Sequence, residues 1–341
     1  MQKRLVIFAP NWLGDAVMAL PAIAAVRRGA PDAAIAVAAR PAIAPLFALV
    51  PEVDETVVLD GAAAGAGGGT SWRDLGRVLA SKSFSVALLL PNSMRAALIA
   101  VAARIPERWG YRTQMRSVLL TRSVLAPSRV HQVEYYRSLV RAFGFPSFQD
   151  SEPHVNVDAE TKRRGAALLM SHGWTGQTPL VAIAPGAAYG GAKRWPSERF
   201  AEVASAVSNQ GAQAVMIGSA ADAAIATAVS RASRAAQLII NLVGKTDLPT
   251  LAGVLTACRA LVTNDSGAMH FAAAVGLGVT ALFGPTRDHE TRPFGARHDV
   301  LTFPVWCRPC MLRECPLDHR CLRGLDTATE VASVRRSLQR A

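Results

Sequence analysis

The chain has 341 residues, half of them hydrophobic and 18% charged, with 37 Lys and Arg against 25 Asp and Glu. That length suits two domains of roughly 100–200 residues, each with its own core, and the apolar content excludes a disordered tail protein or a coiled coil. The net charge of +12 requires some surface that attracts anions, while an aromatic share of only 6% argues against a base-stacking nucleic-acid binder.

Met1–Arg4 runs directly into Leu5-Val6-Ile7-Phe8-Ala9 with no secretory cleavage pattern, so a soluble, cytoplasmic protein is expected. Strands are predicted at Leu5–Ala9, Ala34–Ala39, Thr56–Leu59 and Val86–Leu90, with helices near Ala16–Arg28, Trp72–Ala80 and Met94–Arg104. Pro21 should bend the first helix, because proline removes an internal donor. The second half repeats the pattern at Leu180–Ala184, Ala214–Ile217, Leu238–Asn241, Ala260–Thr263 and Val279–Phe283. The weakly charged run Gly267 to Pro285 approaches membrane-spanning length, but His270, Gly276 and Gly278 divide it into helix, turn and strand. Helices between strands imply parallel βαβ units. The expected organisation is two Rossmann-like α/β lobes, residues 1–155 and 156–325, facing each other across a cleft. A terminal helix over 326–341 is expected to pack back on the first lobe, and Phe145–Pro153 is the expected linker. Ligands in open α/β sheets sit beyond the carboxyl ends of the strands, which places the site between the lobes.

Four stretches carry chemistry. Asn11-Trp12-Leu13-Gly14-Asp15 closes the first strand without the G-x-G-x-x-G of a nicotinamide fold. Asp15 is either a helix cap or a general base, and local sequence favours the cap. Pro185-Gly186-Ala187-Ala188-Tyr189-Gly190-Gly191-Ala192-Lys193-Arg194-Trp195-Pro196 lets backbone approach a ligand and sets a lysine beside it, a phosphate-binding arrangement rather than a merely solvated loop. Thr263-Asn264-Asp265-Ser266-Gly267-Ala268-Met269-His270 turns a buried strand into a helix, with Asp265 or Ser266 as cap and a positive dipole end for an anion. Asp222 follows another strand and is equally a ribose acceptor or a helix-start residue. By contrast, Gly61–Thr70 lacks the Lys-Ser/Thr of a P-loop and reads as a surface loop.

Cys307, Cys310, Cys315 and Cys321 form a C-x2-C-x4-C-x5-C run. Four thiolates could hold a structural Zn²⁺, although the spacing is not a two-knuckle pattern; reduced thiols or an adventitious disulfide are the alternatives. Arg95, Arg104, Arg108, Arg112, Arg116 and Arg122 punctuate the first lobe. They are either a scattered solvated face or a surface for a phosphorylated lipid or the anionic membrane leaflet. His131 and Glu134 are read as acceptor-lining residues or as a plain helix start.

Together these stretches, from NWLGDAVMALPAI through PGAAYGGAKRWP to VTNDSGAMHFAAAVG and LFGPT, resemble the lipopolysaccharide heptosyltransferases, family 9 glycosyltransferases of GT-B fold. The KRWP form and the cysteine cluster are most similar to members that add the second heptose of the inner core. The resemblance implies ADP-L-glycero-D-manno-heptose as donor, a phosphorylated heptosyl-Kdo2-lipid A acceptor and peripheral contact with the inner membrane, with no nucleic-acid partner. It implies Asp15 as base and Lys193 as phosphate-binding cation, both catalytic. On the donor side it implies Gly186, Ala187, Ala188, Asp222, Asp265, Ser266, Gly267 and His270, with Thr246 near the adenosine. Gly14, Asp15, Arg95 and Arg112 fall on the acceptor side. The implied reaction is inverting. ADP leaves as a stabilised anion without a general acid, and a metal is not required, although Mg²⁺ could assist. Two rivals remain: a family member making another transfer, such as addition of the first heptose, and a non-catalytic basic protein that binds nucleic acid or membrane.

Overall fold

Short apolar strands separated by helical crossovers pair in parallel, because each helix returns the chain to the same end of the sheet. The computed structural model describes residues 3–60, 71–146 and 152–339, and it divides into two units, Met1–Val155 and Asn156–Ala341. The glycine-rich Gly61–Thr70 and the middle of the expected linker, 147–151, lie outside the described residues.

In the first unit β1 (Arg4–Phe8), β2 (Ala34–Ala39), β3 (Glu55–Val58), β4 (Val86–Leu89), β5 (Glu107–Tyr111) and β6 (Arg122–Val124) form one sheet in the order β3-β2-β1-β4-β5-β6. In the second, β7 (Leu180–Ala184), β8 (Gln213–Met216), β9 (Ile240–Asn241), β10 (Cys258–Asn264), β11 (Gly278–Phe283) and β12 (Asp299–Thr302) run β12-β11-β10-β7-β8-β9. Every pairing is parallel. Each unit therefore has the doubly wound Rossmann order, with its reversal point between β1 and β4 or between β7 and β10. The strands at these points are apolar without alternation because helices cover both faces, and β7 is buried along its whole length.

Three strands escape the sequence pattern. Segments β5, β6 and β12 carry Arg108, Arg122 and Asp299 among few apolar residues, and β6 and β12 are sheet edges, where one side of the ladder faces away from the core. The first helix breaks at Ala19 into Leu13–Met18 and Leu20–Gly29. Pro21 lies in the opening turn of the second piece, where a missing N–H leaves no bond unmade.

The C-terminal helix Thr327–Gln339 is anchored within the second unit. Ser333 Oγ lies 2.7 Å from Thr280 Oγ1 and donates to Asp299 at 2.5 Å, Thr327 donates to Glu202 at 2.5 Å, and Val334 is buried in that unit's core. Among the described residues no helix is long and apolar enough to cross a membrane; the run from Gly267 is a helix to Val275 followed by β11.

Candidate active site

In the second unit the loops after β7 and β10 meet at Asn264, a fully buried side chain. Its amide donates to the Pro185 carbonyl at 2.8 Å, and its Oδ1 accepts from the Trp195 N–H at 3.0 Å. One asparagine thus ties both ends of the glycine-rich loop to the end of β10. Trp195 anchors that loop from below, fully buried and edge-on to Phe200 at 5.1 Å.

This frame positions Lys193 in a 3-10 turn, Gly191–Lys193, with Nζ 2.5 Å from Asp265 Oδ2 and 4.6 Å from the centre of the Tyr189 ring. Asp265 is buried and also accepts from Thr286 Oγ1 at 2.6 Å. Lysine is a single point charge on a flexible stem, so it can exchange a carboxylate for a phosphate oxygen. Asp265 is therefore an ion-pair partner and not the helix cap. The cap position belongs to Ser266, whose hydroxyl lies 3.1 Å from Thr263 Oγ1, and no side chain caps the helix Gly267–Val275. Its first N–H groups present the positive end of the helix dipole at the same sheet edge. His270 is buried one turn into that helix.

Asp222 fulfils its structural reading: Oδ2 accepts from the Ser219 N–H at 2.9 Å and from Ser219 Oγ at 2.8 Å. It is also brought to the loop. A Cβ at Gly186 would stand 2.1 Å from Asp222 Oδ1, so only glycine lets this carboxylate lie against the backbone there. Ala187 is buried and Ala188 exposed. Thr246, half-buried, follows Gly244, whose N–H donates to Gly218 O at 2.9 Å, so its loop adjoins that of Asp222.

Sequence reasoning missed the support for the lysine loop, which comes from the cysteine-bearing segment. The Arg313 carbonyl accepts from Ala192 N–H at 2.9 Å, Glu314 Oε1 accepts from Gly191 N–H at 2.9 Å, and Tyr189 donates to Met311 O at 2.7 Å. Gly190, at φ 153°, has Arg313 O where a Cβ would stand. Glu314 carries no motif of its own, and the structural roles of Asn264 and Thr286, although both lie in recognisable motifs, show only through contacts distant in sequence.

Among the described residues no group of three or more His, Cys, Asp or Glu is placed to hold a metal ion, and all five cysteines are free thiols. Cys321 is turned into the apolar core with Leu322 and Leu325, while Cys307, Cys310 and Cys315 stay half-buried on the loop.

In the first unit Asp15 occupies the first turn of Leu13–Met18, where the cap position is Trp12. Asp15 and Gly14 are half-buried, and Asp15 faces Tyr136, whose hydroxyl pKa is pushed well up by burial and then by this carboxylate. Beside them a cavity of about 390 Å³ opens at the carboxyl ends of the strands, lined by Phe8, Asn11, Arg40, Pro91, Ser93 and Arg95. Arg40 was not anticipated.

The six arginines do not share one surface. Arg112 is exposed, but Arg116 is fully buried and donates to the carbonyls of Tyr111 and Pro91 and to Asn92 Oδ1. Arg108 is tied to Leu119 O at 2.7 Å and Ile105 O at 2.6 Å, and Arg122 lies over Trp109 at 4.7 Å. His131 caps the helix Gln132–Ala142 by accepting from Val133 N–H, and Glu134 pairs with Arg141 at 2.9 Å, which is the helix-start arrangement.

A doubly wound fold in each unit, with a lysine and an uncapped helix start at one reversal point, defines an α/β protein equipped for a nucleotide's phosphates. The family model for glycosyltransferase family 9 (heptosyltransferase) matches residues 72–320, and the chain belongs to that family. It is a glycosyltransferase. It is 32% identical over 308 residues to lipopolysaccharide heptosyltransferase 2 of Salmonella typhimurium, covering 87% of each chain. It is 31% identical over 310 residues to the Escherichia coli protein of the same name, again covering 87% of each. The solved structure of E. coli ADP-heptose lps heptosyltransferase II superposes with a TM-score of 0.85 at 28% identity, covering 100% of this chain and 99% of that one. The GT-B-type fold follows from that likeness.

Proposed function

We propose that the protein transfers L-glycero-D-manno-heptose from ADP-heptose to a phosphorylated heptosyl-Kdo2-lipid A acceptor, adding the second heptose of the inner core with inversion. The observation that carries the reading is the Lys193–Asp265 pair beside an uncapped helix start, in a chain of this family. The choice of second over first heptose rests on the relatives matched across 87% of the chain, which bear the name heptosyltransferase 2.

In this reading an acceptor hydroxyl attacks the anomeric carbon as the bond to ADP breaks. Asp15 takes the hydroxyl proton late, because a carboxylate with a reference pKa of about 3.9 is a weak base toward an alcohol until the new C–O bond acidifies that oxygen. Lys193 and the amides at Ser266 and Gly267 neutralise the charge growing on ADP, so turnover should persist in EDTA, with Mg²⁺ at most an aid. Gly186, Ala187, Ala188, Asp222, Thr246, Asp265 and His270 line the donor side. Gly14, Arg95 and Arg112 serve the acceptor. The protein works in the cytoplasm, at the inner face of the inner membrane.

The test is incubation with ADP-heptose and core acceptors bearing zero, one or two heptoses, read by product mass. Extension of the one-heptose acceptor with release of ADP is expected. Preference for the zero-heptose acceptor would reassign the step to the first heptose, and absence of turnover with all three would end the reading.

A further inference from the structure

Between Glu107 and Glu134 the chain holds five arginines, at 108, 112, 116, 122 and 129, and no carboxylate. The same stretch exposes Met115, Val118 and Leu125 at 88, 85 and 76% of their surface, three of the four most exposed large hydrophobic side chains among the described residues. Their exposure is built into the backbone. In the 3-10 turn Arg116–Leu119, side chains three apart share a side, so Met115 and Val118 point outward together. On the other side Arg116 is buried and Leu119 packs against the core. Gln114 and Met115 enter this turn in the left-handed region, at φ 49° and 56°. That conformation is costly for a side chain as large as methionine, and the bonds of Arg116 to Tyr111, Pro91 and Asn92 hold it in place. Leu125 follows β6, the edge strand of the sheet, beside Arg112, whose N–H donates to Val124 O at 2.8 Å.

We propose that this rim, Met115, Val118 and Leu125 flanked by Arg112 and Arg129, is where the protein rests on an anionic lipid bilayer. Exposed aliphatic side chains beside exposed arginines match the boundary between acyl chains and anionic headgroups. The rim has no exposed aromatic ring to stack on a base, which disfavours nucleic acid as occupant. The inference deepens the reading above and rests on it for the identity of the lipid surface, since a lipid-anchored acceptor has to be met at a membrane.

The experiment sediments the full-length protein with vesicles of phosphatidylcholine, with and without phosphatidylglycerol, and compares wild type with the triple variant Met115→Ser, Val118→Ser, Leu125→Ser. Wild type should bind the anionic vesicles, less so as salt rises, and the triple variant should lose about tenfold or more in partitioning. Turnover on a deacylated, water-soluble acceptor should be unchanged in the variant, while turnover on acceptor embedded in vesicles should fall by a similar factor. Equal vesicle binding by both proteins would overturn the proposal, as would equal wild-type binding to neutral vesicles. A change in self-association without a change in vesicle binding would make the rim a contact between copies and overturn it too. Vesicle binding is measured without donor or acceptor, so it fails or survives independently of heptose transfer.

Discussion

The two units repeat one strand order and hold a cation beyond their strand ends in opposite ways. In the second unit Lys193 has one carboxylate partner, Asp265, and reaches it on a flexible stem. In the first, Arg116 is held by backbone carbonyls and Asn92, with no ion pair among the described residues. Burial lowers its pKa to about 10, so it stays charged at neutral pH. A charge with one exchangeable partner is suited to meeting a ligand. A charge saturated by backbone acceptors locks a loop, here the Pro91–Ser93 turn that lines the cavity with Arg40 and Arg95.

The largest effect expected from breaking this contrast lies at Asp15. Asp15→Ala should lower turnover about 10²–10⁴-fold in a folded protein, the usual worth of a positioned base. A near-normal rate would return Asp15 to a structural role. Lys193→Met should follow, with turnover down about 10²–10³-fold as charge on the leaving diphosphate goes unanswered. A rise in donor KM alone would mean that the lysine binds the ground state and transition state equally.

Stability measurements sharpen the comparison from the other side. Arg116→Met leaves several buried acceptors unpaired at about 1–3 kcal/mol each, so the urea midpoint should fall clearly, although no donor phosphate is assigned to this arginine. Asn264→Ala should cost about 1–3 kcal/mol by orphaning the Pro185 carbonyl and the Trp195 N–H, and it should weaken ADP binding because the lysine loop loses its tie. The smallest effect concerns the thiols. Burial pushes Cys258 up to about 12, so at pH 8 roughly one molecule in 10⁴ carries the thiolate. Alkylation followed by mass spectrometry should label Cys307, Cys310 and Cys315 and spare Cys258.

What the sequence determined by itself was local and periodic. The apolar runs of β1, β2, β4, β7, β10 and β11 announce buried parallel strands, because helices cover both faces of such a sheet. The glycine-rich lysine loop and the Asn-Asp-Ser-Gly turn were legible as phosphate-facing elements, since their chemistry lies within a dozen residues. Tertiary structure decided whatever depends on partners far along the chain. It paired Lys193 with Asp265, brought Thr286 to the same carboxylate, set Glu314 under Gly191, and packed Cys321 against the apolar core. It also buried Arg116 among carbonyls and anchored the last helix on Thr280 and Asp299. A side chain's type fixes which contacts it can make, but the free energy of a buried charge or thiol depends on neighbours that only the folded chain supplies.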